Sequence, residues 1–106
     1  MLTRDWLSAG SRETLIAWMV ATTTGTQRLR AGLPSDWRAG DKTGTGSDPA
    51  THDKYNDIAI VWPPGKAPLI ITSYLETRSS HPGMRDEDQA VLAEVGRIAT
   101  AWSRSL

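Results

Sequence analysis

The chain has 106 residues, and its 12 lysines and arginines match its 12 aspartates and glutamates, so it carries no formal net charge. One domain of this size buries roughly two-thirds of its unfolded surface, and balanced charge argues against nucleic acid or an anionic membrane as a partner. The lack of cysteine excludes disulfides, thiolate metal sites and a cysteine nucleophile but leaves the compartment open.

The opening stretch MLTRDWLSAGSRE lacks the basic, apolar, small-residue order of a signal peptide, and no apolar run approaches the ~20 residues of a membrane span. As written, the chain is expected to be soluble and unexported. Arg4, Asp5 and Arg12 are expected on the solvated surface. Ser11, followed by Arg12 and Glu13, reads as an N-cap with an acidic first turn, and Leu15, Trp18 and Met19 recur at helical spacing. A helix is expected from Ser11 to Ala21. The threonines at 22–24 are poor helix formers, and Thr26 to Ala31 makes one more short helix, closed by Gly32 and Pro34.

The period then changes. Arg38 to Thr45, Asp57 to Trp62 and Leu69 to Leu75 are three short strands between turn signals. PPGKAP joins the last two as a tight hairpin, with Gly65 free to take a positive φ. Ser47 to Tyr55 is a polar loop, and Ser79 to Gly83 ends the sheet. From Asp86 to Ser103 the period is helical again: Val91, Val95, Ile98 and Trp102 form one stripe, flanked by Leu92 and Ala99, that is expected to cover the sheet. The fold class is therefore α+β, an α/β sandwich segment. Two short helices precede a three-stranded antiparallel meander, which a C-terminal helix packs.

The chemistry concentrates at DKTGTG. Lys42 and Thr43 offer an ammonium and a hydroxyl to an anionic group if the strand bends, and Gly44 allows close approach to the backbone. The Thr45 N–H could donate to a developing oxyanion. Arg30 and Asp41 read as a structural pair behind the lysine. Trp18, Trp37 and Trp102 sit at apolar periodic positions and are expected in the core. His52 and His81 lie in loops without a second ligand at metal spacing, so neither a metal site nor a histidine base is expected.

TTTGTQRLRAGLPSDWRAGDKTGTG, then YNDIAIVWPPGKAPLIITSYL, then an amphipathic terminal helix, resembles the C-terminal part of a class A serine β-lactamase from about Leu7 to Trp102. The resemblance implies that Lys42 supplies positive charge beside a nucleophile and that the Thr43 hydroxyl holds the substrate carboxylate. It also implies that the Thr45 N–H forms half of an oxyanion hole and that Gly44 and Gly46 keep the strand open to the drug. The family needs a guanidinium at the carboxylate corner. The common position for it falls near Tyr55 here, so Arg28 is assigned the role, as in a subgroup that supplies it from the helix before the motif. The bland alternative is a solvated helix arginine. The stretch GSDPATHDKYNDIA places more residues after the motif than the family pattern has, which bears on substrate preference.

The same family acylates through Ser-x-x-Lys, a Ser-Asp-Asn element and a loop glutamate, and neither serine motif occurs in these 106 residues. The chain is thus expected to be a single partial domain, 1–106, resembling the last two-fifths of the enzyme: half a site, without cofactor or metal. A β-lactam antibiotic is the partner implied for the complete enzyme. Self-association, or pairing with the N-terminal part through strand 69–75, is expected for the segment. The intact family implies a periplasmic or secreted location; this chain, if expressed as written, is expected in the cytoplasm. A non-catalytic remnant or association module and a segment of a penicillin-binding transpeptidase are the alternatives. NDIAIVWPP and Arg28 favour the lactamase.

Overall fold

The computed structural model describes residues 1–48, 50 and 52–106. Its first element is helix α1, Ala9–Ala21, capped by Ser8, whose Oγ accepts from the Ser11 N–H at 3.1 Å. Sequence reasoning placed the cap at Ser11. Ser8 takes that role because it lies three residues ahead of a free N–H, the reach of an N-cap side chain. A 3-10 helix, Leu29–Gly32, follows. It is shorter than the turn expected from Thr26 because the Leu29 N–H is taken by the Asp57 carboxylate at 3.1 Å instead of a helical carbonyl.

Three strands then form an antiparallel meander, β1 Arg38–Gly46, β2 Lys54–Trp62 and β3 Leu69–Glu76, in spatial order β1-β2-β3. The register runs without interruption, Arg38 opposite Trp62 to Gly46 opposite Lys54, and Lys54 opposite Glu76 to Val61 opposite Leu69. The β2–β3 turn is tight, and Gly65 takes φ 71° there, a value that costs a side chain but not glycine. β2 begins three residues earlier than Asp57, which shortens the polar loop accordingly.

Alternation along the strands puts Tyr55, Asp57, Ala59 and Val61 on one face. That face meets Leu29 and the C-terminal helix α2, Asp86–Ser105. Leu29, Ala59 and Val61 are the centre of the core, with Leu33, Trp37, Ala39, Ile71 and Val95 packed around them. α2 comes very close to the 3-10 helix. A Cβ on Gly96 would stand 2.2 Å from the Leu29 carbonyl oxygen, and one on Gly32 would stand 1.9 Å from that of Ala93. Only two facing glycines permit that contact.

This contact corrects the expected packing of α2. The face turned inward is Asp88, Gln89, Leu92, Gly96, Thr100 and Ser103. Of the apolar stripe, Val95 touches the core from a partly buried position, while Val91, Ile98 and Trp102 are exposed. Two of the three core tryptophans are likewise corrected: Trp18 is 69% and Trp102 55% exposed. Trp37 does pack on the core and carries the Arg104 guanidinium 5.5 Å from its ring centre. Together with Lys66, whose Nζ donates to the Ser103 carbonyl, Arg104 fastens the negative end of the α2 dipole. No helix among the described residues is long and apolar enough to cross a membrane.

Candidate functional site

β1 is an edge strand, so one side of its backbone is free of partners among the described residues. Which groups face that free edge follows from the bonds around it. Lys42 Nζ donates to the Thr43 carbonyl at 2.5 Å, and Arg28 Nη1 reaches the carbonyls of both Gly44 and its facing residue Asn56, so that pair bonds between β1 and β2 and the backbone groups of Thr43 turn to the free edge. Residues two apart in a strand point the same way, which turns the N–H of Thr45 to the same edge. Gly44 pairs inward with Asn56. Lys42 and Thr43 leave opposite faces of an unbent strand, but the lysine folds back over the edge, which brings its exposed ammonium alongside the free backbone groups. The Thr43 hydroxyl donates to Thr24 Oγ1 at 3.1 Å.

Gly44 and Gly46 are exposed, with ordinary negative φ. A Cβ on Gly44 would come no closer than 3.7 Å to Asn56, and one on Gly46 would meet nothing within 4 Å. The fold itself places no demand on glycine at either position. The room they leave lies outside the protein.

Arg28 is 1% exposed, which removes the solvated-helix reading. Its guanidinium is spread beneath the end of β1. Nη1 donates to the Gly44 carbonyl at 3.2 Å and the Asn56 carbonyl at 2.9 Å, Nη2 to Thr45 Oγ1 at 2.6 Å, and Nε to Gln89 Oε1 at 3.2 Å. The cation lies 5.2 Å from the centre of the Tyr55 ring, a distance at which the ring face is attractive. Gln89 is held in turn by its own Nε2 donating to Gln27 Oε1 at 2.8 Å. Arg28 therefore delivers positive charge to Thr45 from behind, through the threonine hydroxyl.

Behind Lys42 lies a second buried charge system. Arg30 Nε is 2.7 Å from Asp41 Oδ1, and Arg30 Nη2 donates to the Met19 and Val20 carbonyls at the end of α1. The expected Arg30–Asp41 pair is thus present, and it also ties α1 to β1. Asp41 and Asp57 are both fully buried. Burial, and next the hydrogen-bonded Asp41 carboxylate, push the Asp57 carboxyl up to about 8. Apart from that ion pair, Asp41 Oδ1 and Oδ2 and Asp57 Oδ1 have no other donor among the described residues. The raised Asp57 carboxyl keeps its proton more readily and can donate it toward Asp41.

Sequence reasoning grouped Lys42, Thr43, Gly44, Thr45, Gly46 and Arg28; in the structure the first five follow one another along the second half of β1, and Arg28 reaches Gly44 and Thr45 from beneath. Sequence reasoning missed Gln89, Asn56 and Asp57. Gln89 was findable in principle, since it stands three and seven residues before Leu92 and Gly96, on the same inward stripe. His81, read as an isolated loop residue, has Nδ1 2.8 Å from Asp53 Oδ2. That bond first, and then Ser47, hold the Asp53 carboxyl below the usual carboxylate range. His52 lies 3.6 Å from Glu76 at the surface. Among the described residues no group of three or more His, Asp and Glu side chains could hold a metal ion.

The family described as "Beta-lactamase enzyme family" matches residues 1–103. The chain is 48% identical over 94 residues to the beta-lactamase AST-1 of Nocardia asteroides, covering 89% of this chain and 28% of that protein. It is 40% identical over 94 residues to the carbapenem-hydrolyzing beta-lactamase KPC of Klebsiella oxytoca, covering 88% and 30%. Among solved structures, a W229D mutant of the ancestral Gram-negative class A beta-lactamase superposes with TM-score 0.84 at 50% identity, over 97% of this chain and 36% of that one. A beta-lactamase from Burkholderia vietnamiensis gives 0.83 at 40% identity. The chain spans about 30% of the length of the curated relatives it matches.

Proposed function

Because the chain belongs to the beta-lactamase enzyme family and resembles its class A members, we propose that it is the carboxylate-binding and oxyanion wall of a serine β-lactamase, the half of the site that faces the nucleophile. The observation that carries this reading is the free edge of β1. The Lys42 ammonium lies against it, the Thr45 N–H points along it, and Arg28 is held beneath it by Gly44, Asn56, Thr45 and Gln89.

In the complete enzyme a serine from the N-terminal part attacks the β-lactam carbonyl, forms an acyl-enzyme as the ring C–N bond breaks, and releases the opened product on hydrolysis. The residues of this chain do the positioning. Lys42 and, through Thr45, Arg28 make the strand end attractive to the substrate carboxylate, and Thr43 adds a hydroxyl once turned from Thr24. The Thr45 N–H donates to the carbonyl oxygen as it becomes negative, and one such donor is worth about 10²–10³ in rate. The wall binds and polarises but cannot acylate. Activity from the 106 residues alone is therefore expected at background, since none of its serines has a lysine three residues on to serve as base. For the intact enzyme the reading implies a periplasmic or secreted location and a β-lactam antibiotic as substrate.

A second reading, a non-catalytic association module, has one observation in its favour. β3 ends the sheet with exposed Ile70 and Tyr74, on the face turned away from α2. Both readings meet in one experiment. The purified chain is assayed on a chromogenic cephalosporin alone, and again with a polypeptide carrying the N-terminal part of a class A relative. The enzyme reading expects turnover only in the mixture, lost in Lys42→Ala and reduced in Thr43→Ala. Stable association without any turnover selects the module. Turnover by the chain alone, abolished by replacing one of its own serines, overturns this account of the site.

A further inference from the structure

We propose that Asp53 and His81 form a positioning latch that fixes the open end of β1 and so sets the room beside Thr45 and Gly46 for the side chain a β-lactam carries. The proposal rests on β1 being the substrate strand. Ser47 follows Gly46 directly, about 7 Å along extended chain from Thr45. Its hydroxyl donates to Asp53 Oδ1 at 3.0 Å, while His81 Nδ1 meets Asp53 Oδ2 at 2.8 Å. The two ends of the β1–β2 connection are therefore gathered on one buried carboxylate, which is held from outside by the segment between β3 and α2.

Further hydrogen bonds stitch the same two segments together. Ser80 Oγ donates to the Asp48 carbonyl at 2.7 Å, the Thr77 N–H to the Asp53 carbonyl at 2.9 Å, and the Asp53 N–H to Thr77 Oγ1 at 3.1 Å. A buried carboxylate is retained only where donors compensate its lost hydration, and Asp53 has them in Ser47 and His81.

The segment that carries His81 also reaches the other side of the strand end. Three residues on, Met84 Sδ accepts from Arg28 Nη2 at 3.7 Å, and the Arg85 N–H donates to the Tyr55 hydroxyl at 3.0 Å. Tyr55 lies under the Arg28 cation and opposite Thr45. A displacement at His81 is thus passed to Ser47 through Asp53, whereas Arg28, reached only through Met84, keeps its bonds to Gly44, Asn56, Thr45 and Gln89. None of these contacts involves Lys42 or the free edge of β1, so a loosened latch should alter which side chains fit more than how fast a small substrate is opened.

The test has two arms, on wild type, His81→Ala and His81→Asn, the last keeping a donor near the Nδ1 position. In the first, amide hydrogen exchange is measured on the 106-residue chain by mass spectrometry. His81→Ala should speed exchange at 46–53 and 77–80 with little change in α1, and His81→Asn should restore most of the protection. In the second, the chain complemented with the N-terminal part is assayed on a penicillin with a small side chain and on a bulky oxyimino-cephalosporin. In His81→Ala the ratio of their kcat/KM values should move by several-fold to about 10²-fold, the scale of an ångström displacement beside reacting atoms. The change should lie mainly in KM for the bulky drug, with kcat for the small one held. An equal fall for both drugs, or exchange unchanged in His81→Ala, overturns the latch. If the complemented wild type turns over neither drug, the functional reading fails instead, and the exchange arm alone decides whether the latch exists.

Discussion

Replacing Asp57 by asparagine should change how stability depends on pH. In the folded chain the Asp57 carboxyl is held at about 8 by burial and by Asp41, against an ordinary value near 3.8 once unfolded. The folded state therefore binds a proton that the unfolded state has already lost. The contribution is fully present below about pH 4 and is lost as pH rises from there to about 8, at up to about 1.4 kcal/mol per pH unit. The other charges around it are Arg28, which acts in the opposite sense, and Asp41 with its partner Arg30. Between pH 5 and 7 the wild type should lose up to about 3 kcal/mol from this group, on the order of 10 °C in melting temperature for a domain of this size. The asparagine can accept from the Leu29 N–H as the Asp57 carboxyl does and donate permanently to Asp41, so the variant should fold and its melting temperature should be nearly flat over the same window. Asp53 cannot mask the effect. Its carboxyl is depressed, so its contribution is present above the ordinary value and is lost only as pH falls below it. The assay is a series of thermal melts from about pH 4.5 to 8.5, spanning the ordinary and the raised value, followed by tryptophan fluorescence. A wild type whose stability rises between pH 5 and 7, or an Asp57→Asn variant with the same slope, would refute the shared-proton account.

Arg28→Ala, in a chain complemented to activity, should cost about 1.5–3 kcal/mol in kcat/KM for carboxylate-bearing β-lactams. Lysine there should rescue only part, since it lacks the fork; unchanged kinetics with lowered stability would leave Arg28 as a strut for β1. Gly44→Ala should leave thermal stability within about 1 kcal/mol, because nothing lies closer than 3.7 Å to the new methyl, yet lower kcat/KM by about 1–3 kcal/mol where the methyl meets the drug. Equal effects on stability and turnover would remove the ligand from the argument. Gly96→Ala should cost about 1–3 kcal/mol or more, because its methyl would overlap the Leu29 carbonyl, while Gly83→Ala, in open space, should stay within about 0.5 kcal/mol; denaturant titration of the pair checks both.

The site was more legible in the sequence than the charges that support it. Lys42 to Gly46 could be placed together because a strand carries neighbours along one short line, and Arg28 because the resemblance named a helix before that strand. The ties behind them join residues 28 or more apart: Arg28 to Asn56 and Gln89, Leu29 to Asp57, Asp53 to His81. Spacing along a chain has no signal for such pairs. Asp57 also looked like an ordinary strand-start carboxylate, and its proton follows only from burial beside Asp41.

The errors in the fold share one physical origin. The helical period of α2 was read correctly, but the stripe was assigned to the sheet on the assumption that an apolar face must be covered by the nearest apolar surface. The sheet instead receives the small and polar side of α2, because the facing glycines Gly32 and Gly96 allow backbone contact that a larger side chain would prevent. Val91, Ile98 and Trp102 are left outside, as are Trp18 on α1 and Ile70 and Tyr74 on β3. Single exposed apolar residues are ordinary. Under the proposed function, six of them on three elements are surface that the N-terminal part of such a fold would cover. The free backbone edge of β3 belongs to the same surface, since an unpaired strand with apolar side chains invites pairing. The isolated chain should then self-associate, and the complementing polypeptide should reverse this by occupying the same edge and stripes. Sedimentation with and without that polypeptide would show it, and a monomer at high concentration that gains nothing from the addition would mean that these residues are exposed for some other reason.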